Sequence, residues 1–277
     1  MTVKAFLDTT IFADALLKDY DTRRRTLKAL RRFAEAEAPQ YALMELKAGV
    51  LQAYVWFHNV LLVEESYDRA LARLHKRSMS LARNQASSAI EALRRAEQEM
   101  SAIASGGNRS AYVLSDSERA QQMRFALEKV IRSCCRRSLT IPTRITFPLP
   151  CCPPAAPTTA PDGSIRLGSR RQPGVTNCGL DAHLQAFRQQ IQALCIVVRA
   201  QIKTPENTRR LEALNCVRKG QPLTDHHCRA LGDAVFAICA PPGFLILTTN
   251  VRDHEPLARA LGKVVAGPGS CHLPLCS

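Results

Sequence analysis

Apolar and polar positions along the chain fall into two rhythms, one at each end and another in the middle. Val3-Lys4-Ala5-Phe6-Leu7 is a short apolar run that stops at Asp8-Thr9-Thr10, the pattern of a strand feeding a cap and then a helix over Ile11–Leu17. Arg23 to Ala38 sets Leu27, Leu30 and Phe33 along one side of a basic helix that Pro39 ends. A short strand at Tyr41–Leu43 and a helix from about Met44 to Leu62 follow. Toward the other end, Asp225–Cys239 patterns as a helix broken by Pro241-Pro242-Gly243. Phe244-Leu245-Ile246-Leu247 is then a continuous apolar run suited to a buried central strand. Thr248-Thr249-Asn250 is a polar turn, Glu255–Leu261 a helix and Lys263-Val264-Val265 a last strand. Strand alternating with helix predicts an α/β fold, a parallel sheet covered by helices.

The middle is patterned differently. Glu64 to about Ser105 can run as one long helix free of Pro and Gly, and Ser117–Arg137 fits a second, N-capped at Ser115, Asp116 or Ser117. Ser138–Asn177 is Pro-rich and poor in aromatics, which predicts a disordered loop. Helices resume over Leu180–Ile202 and Pro205–Arg218. The expected organisation is a discontinuous α/β domain over 1–63 and 221–266, a helical basic insertion over 64–220 that includes the loop 138–177, and a flexible tail over 267–277. The helix 64–105 has enough apolar positions either to pair with a second copy in a homodimer or to pack back on its own domain.

Charge separates the regions further. The chain of 277 residues carries +14, and residues 64–220 alone, with 25 basic and 13 acidic side chains, hold +12 of it. Such a balance favours an anionic partner, nucleic acid or a membrane surface, without choosing between them. Arg23, Arg24, Arg25, Lys28, Arg31 and Arg32 offer a phosphate-binding surface on one segment, the alternative being a solvated helix face with local ion pairs. Aromatics are too few in the insertion for a module that reads bases by stacking. No stretch approaches the roughly 18 uncharged apolar residues of a membrane span, and the N-terminus lacks a signal-peptide pattern. The expectation is a cytoplasmic chain with no membrane partner. Eleven cysteines, an odd number with no CxxC spacing, are expected to be mostly reduced thiols rather than disulfides or a structural zinc site.

Four acidic residues stand where chemistry rather than solubility would put them. Asp8 closes the first strand, Glu45 begins a helix after the second, Asp233 sits on an apolar helix before the third, and Asp253 lies in the turn just past it. Carboxylates gathered at one sheet edge repel unless something positive lies between them. Hard divalent ions such as Mg²⁺ or Mn²⁺ prefer such oxygen ligands and keep waters that can attack a phosphodiester. Taken singly, Asp8 and Asp253 could instead be helix caps and Glu45 a first-turn glutamate favoured by the helix dipole.

In order along the chain, Phe6-Leu7-Asp8-Thr9-Thr10-Ile11-Phe12, Met44-Glu45-Leu46-Lys47-Ala48-Gly49, Leu231-Gly232-Asp233-Ala234-Val235-Phe236-Ala237 and Leu247-Thr248-Thr249-Asn250-Val251-Arg252-Asp253-His254 resemble the motifs of the PIN-domain ribonucleases. The resemblance covers about 1–63 and 225–266, roughly 105 residues. It implies a three-layer α/β/α, Rossmann-like fold and cleavage of RNA dependent on Mg²⁺ or Mn²⁺. Asp8, Glu45, Asp233 and Asp253 would be metal ligands or organisers of the attacking water, with Thr248 and Asn250 supporting them by hydrogen bonds. It also implies the role of toxin in a toxin–antitoxin pair, with an antitoxin protein as partner. His254 stands where the family usually carries an aromatic, and the stretch between the second and third motifs is much longer than in the family's small toxins. The alternative is a non-catalytic PIN-like scaffold whose basic helices bind RNA or a protein partner. The intact acidic set favours the enzyme, since a retired site has no need of mutually repelling carboxylates.

Overall fold

The computed structural model describes residues 3–80, 83–105, 114–137, 144–146, 156–168 and 179–269. In chain order the strands are β1 (Lys4–Leu7), β2 (Glu35–Pro39), β3 (Arg144–Thr146), β4 (Thr158–Thr159), β5 (Ile165–Arg166), β6 (Phe244–Leu247) and β7 (Val264–Ala266). Five of them form a parallel sheet in the order β3-β2-β1-β6-β7, and β4 and β5 form a separate antiparallel hairpin. The chain is therefore α/β, with a parallel sheet and mostly helical content. β1 lies between β2 and β6, Lys4 opposite both Glu35 and Phe244, so Ala5, Phe6 and Leu7 are fully buried. A continuous apolar run suits such an interior strand because neither of its faces meets water.

Around the sheet, α1 (Thr9–Leu16) follows β1 directly, and α2 (Tyr20–Leu30) is capped by Asp19, whose carboxylate accepts from the Thr22 N–H at 3.0 Å. Two expectations shift here. The helix expected over Arg23–Ala38 ends at Leu30 because Glu35–Pro39 is the second strand, and Tyr41–Leu43, expected as that strand, lies in α3 (Gln40–Ala48). Glu-Ala-Glu-Ala-Pro has little strand propensity of its own; pairing with β1 and β3 on its two sides overrides it. The helix expected from Met44 to Leu62 is broken at Gly49, beyond which α4 (Val50–Glu64) begins. Together Gln40–Glu64 make 25 residues that are, by length and composition alone, apolar enough to cross a membrane, although they include Glu45, Lys47 and Glu64. Tyr54, Phe57 and His58 of α4 are buried within the chain's own core.

Residues 64–105 do not form one helix. Glu65 adopts a left-handed conformation (φ 51°) and ends α4, after which α5 (Tyr67–Ser80) and α6 (Arg83–Ser105) pack against each other and α6 also against α4. Leu74, Ala92 and Ala96 are buried in the chain's own core and Leu71 and Leu93 pack against it, whereas Met79 and Ile90 are exposed. α7 (Asp116–Arg137) begins as expected, and Ser115 is the residue that caps it, exchanging hydrogen bonds with Glu118 (2.8 Å and 3.3 Å) in a capping box. The expectation of a structureless loop over 138–177 does not hold for its described parts: β3 joins the main sheet beside β2, and the β4–β5 hairpin docks on α4. Docking uses Asn59, whose amide donates to the Ile165 carbonyl and accepts from the Ile165 N–H, both at 2.9 Å. The remainder of that loop, and 270–277 of the expected tail, lie outside the described residues.

Further on, the expected helix 180–202 is two, α8 (Leu180–Gln185) and α9 (Arg188–Ala200), while α10 (Pro205–Arg218) has the expected bounds, with Pro205 at its first position and Thr204 capping it. The expected helix 225–239 is split by Gly232 into α11 (Asp225–Leu231) and α12 (Asp233–Cys239). Gly232 has φ 40° and ψ −120°, a conformation side chains other than glycine's rarely take. Lys263 then reaches back to close the end of α12, donating from Nζ to the carbonyls of Ala237, Ile238 and Ala240 at 2.6, 2.9 and 2.7 Å. The final helix, α13 (Val251–Ala260), starts earlier than expected and takes in Asp253. Among the described residues, Cys134, Cys135, Cys195, Cys216, Cys228 and Cys239 are free thiols.

Candidate acidic centre at the end of the sheet

Asp8 follows the last residue of β1, and its backbone N–H donates to the Leu247 carbonyl at the end of β6 (3.0 Å). Of the two roles weighed for Asp8, the helix cap is present, and the same side chain also faces the other acids. Its Oδ2 caps α1, accepting from the Thr10 N–H at 3.3 Å and the Thr10 hydroxyl at 2.7 Å. The same oxygen accepts from the buried Thr248 hydroxyl at 2.8 Å and lies 3.5 Å from His254 Nε2. Burial alone would raise the Asp8 carboxyl, but the contact and charge of His254, with the two threonine hydroxyls, hold it below the ordinary carboxylate range.

Glu45 sits in the interior of α3 rather than at its start. Its Oε2 accepts from the Thr9 hydroxyl at 2.6 Å, which ties it to the residue after Asp8. Burial, helped by the nearby charges of Asp8 and Asp233, pushes its carboxyl up to about 8, against the opposing pull of Thr9 and Tyr41. Asp233 is the first residue of α12. Its Oδ1 lies 3.1 Å from His254 Nε2, and its Oδ2 accepts from Arg210 Nη2 at 3.0 Å.

Two cations therefore stand among three carboxylates. His254 is 1% exposed, its ring set edge-on to Phe236 at 5.7 Å between centroids. Nε2 approaches both aspartates without aligning a hydrogen bond on either. Burial works against the imidazolium, but the contacts and charges of Asp233 and Asp8 outweigh it and lift His254 to about 10. Arg210 arrives from α10, inside the 64–220 stretch.

Of the residues singled out from the sequence, Asp8, Glu45, Asp233 and Thr248 come together. Asn250 stands one step away, its N–H donating to the Thr248 hydroxyl at 2.9 Å. Asp253 is exposed in the first turn of α13, where its Oδ2 accepts from the Asn250 amide at 2.8 Å. Arg24, Arg25, Lys28, Arg31 and Arg32 are exposed, whereas Arg23 is half-buried and donates from Nε to the Ala15 carbonyl at 3.4 Å. The sequence reading missed Arg210 as a member of the centre and saw His254 only as a departure from a motif. A signal for Arg210 existed: it shares the helical stripe of Ala213, Leu214 and Val217, all buried, and an arginine in a core stripe needs an internal partner.

Comparison with known protein families, curated proteins and solved structures gave no match. The case for a metal therefore rests on the donors. Carboxylate and hydroxyl oxygens suit a hard divalent ion. As the centre stands, His254 and Arg210 occupy the oxygens of Asp233, and among the described residues no three acidic, histidine or cysteine side chains stand at metal-ligand spacing.

Proposed function

We propose that the chain is a PIN-like, three-layer α/β/α ribonuclease that hydrolyses RNA phosphodiesters with Mg²⁺ or Mn²⁺. The observation that carries this reading is the convergence of Asp8, Glu45 and Asp233, three residues far apart in sequence, at the C-terminal end of the central strands, where open α/β sheets build their sites. When bound, the ion supplies Lewis acidity and lowers the pKa of the attacking water. Asp8, Glu45 and Asp233 would hold it. The Thr10 and Thr248 hydroxyls orient Asp8, and the Thr9 hydroxyl orients Glu45. The exposed Arg24, Arg25, Lys28, Arg31 and Arg32 would neutralise backbone phosphates irrespective of sequence.

A second reading draws on the two cations. Because His254 and Arg210 already balance two carboxylates, the same fold could serve as a scaffold that binds RNA or a protein through its basic helices without cutting. Incubating a mixed pool of structured RNAs with Mg²⁺, Mn²⁺ or EDTA separates the two. The nuclease reading expects metal-dependent products that are lost in Asp8→Asn and Asp233→Asn. Retardation of RNA in a salt-dependent gel shift, with no cleavage under any metal, would replace it with the scaffold.

A further inference from the structure

Arg210 joins two regions that sequence alone keeps apart. It lies on the buried stripe of α10, and α10 packs on α9 and α11, which places the guanidinium at the Gly232 break where α12 begins. Its Nη2 donates to Asp233 Oδ2 at 3.0 Å on the inside and to Glu206 Oε1 at 3.2 Å on the outside. The arginine side chain is 6% exposed and that of Glu206 76%, so the ion pair with Asp233 is the sheltered one. A guanidinium with so little access to water needs a carboxylate to offset its lost hydration, and Asp233 is the sheltered carboxylate that does so. Oδ1 of Asp233 faces His254 at the same time. Both oxygens of Asp233 are therefore committed to cations held by the chain. With Nη2 shared between two carboxylates, Nε buried without a partner and the side chain sealed from solvent, Arg210 is poorly placed to meet a substrate phosphate.

We propose that Arg210 is a resident counter-cation that competes with a divalent ion for Asp233, so that α10 sets how readily metal loads into the acidic centre. The inference rests on the metal-dependent reading above and concerns the regulation of the same site. A divalent ion ligated by Asp233 either displaces the guanidinium or stands beside it against like-charge repulsion, and both weaken binding. Movement of α10 away from α12, by a partner or a bound RNA, would release the oxygen.

Mn²⁺ binding to the full chain, read by the loss of the free-ion paramagnetic resonance signal, tests this without any cleavage assay. Arg210→Met keeps the stem and removes the charge, and is expected to bind Mn²⁺ about tenfold more tightly than the wild type. Arg210→Lys, which keeps a charge, is expected to stay near the wild type. Glu206→Gln alters an exposed side chain, hands Arg210 wholly to Asp233, and is expected to weaken Mn²⁺ binding about twofold. Binding that needs Asp8, as shown by Asp8→Asn, but is unchanged in both Arg210→Met and Glu206→Gln overturns the counter-cation and leaves the metal site standing. Absence of binding in the wild type and in Arg210→Met alike overturns the metal-dependent reading itself. Should Arg210→Met not fold, Glu206→Gln decides alone, and unchanged or tighter binding there overturns the proposal.

Discussion

The carboxylates at the end of β1 and the arginines along α2 are two charged regions of the molecule, and they hold their charge by different means. At the sheet end, each ionised group is buried against a named partner: Asp8 against two hydroxyls and His254, Asp233 against His254 and Arg210. On α2, Arg24, Arg25 and Lys28 face solvent, and Arg25 donates to the Thr22 hydroxyl at 3.3 Å. Removing a partner from the first region leaves a charge with nowhere to go, while removing a residue from the second leaves only more water. The first region is thus written into the stability of the fold and the second into long-range attraction, which is screened by salt.

The sharpest break between the two would come from His254→Ala. It leaves Asp8 and Asp233 facing each other with only Arg210 to balance them, and breaking a buried charge pair of this kind costs about 3–5 kcal/mol. Denaturant unfolding should show that loss, and an unchanged midpoint would mean the centre is not held by charge.

Next in size is a pH effect. Glu45 titrates at about 8 in the fold against an ordinary 4.5, so the folded state keeps its proton longer than the unfolded chain does. Stability should then fall as pH rises from about 4.5 to about 8 and level off as far as Glu45 is concerned. His254, lifted from 6.5 to about 10, is a base whose stabilisation is complete below 6.5 and lost as pH climbs through about 10. Melting curves of Glu45→Gln across this range should lose the lower slope and keep the upper one.

Replacing Arg24, Arg25 and Lys28 together by Gln is expected to leave unfolding within about 0.5 kcal/mol of the wild type. RNA affinity should fall, and the slope of log affinity against log salt should drop by about 2 for a single-stranded RNA. A shifted melting temperature with unaltered RNA binding would reverse the assignment of the two regions. The smallest effect is expected from Asp253→Asn, because that side chain is exposed and meets Asn250 rather than Asp8, Glu45 or Asp233. A loss of cleavage equal to that of Asp8→Asn would draw it back into the centre.

The same contrast governs what could be read from sequence. β1 and β6 were legible because interior parallel strands demand unbroken apolar runs, and α10 because Pro205 and Lys219 bracket a helix with a clear start. β2 was not legible, since its Glu-Ala-Glu-Ala-Pro is made a strand by neighbours on both sides rather than by its own residues. The three-residue β3 is an edge strand supported by one partner and leaves no pattern to find. In the centre, Asp8, Glu45 and Asp233 were visible as acids beside apolar runs, whereas Arg210 is a contact across the packing of α10 on α11, and local spacing does not encode which helix meets which.

One hydroxyl couples parts of the centre that the chain keeps apart. Tyr41 is buried on α3, one turn before Glu45; its phenol donates to the Cys228 carbonyl at 2.6 Å and accepts from the Gly232 N–H at 3.1 Å. The helix that carries Glu45 is thereby clasped to the joint from which Asp233 emerges, and these two acids ride on a single mechanical unit. Asp8, anchored to the strands, belongs to the other. The Thr9 hydroxyl, donating to Glu45 at 2.6 Å, joins the two units, so the three acids are cross-braced rather than carried on independent arms.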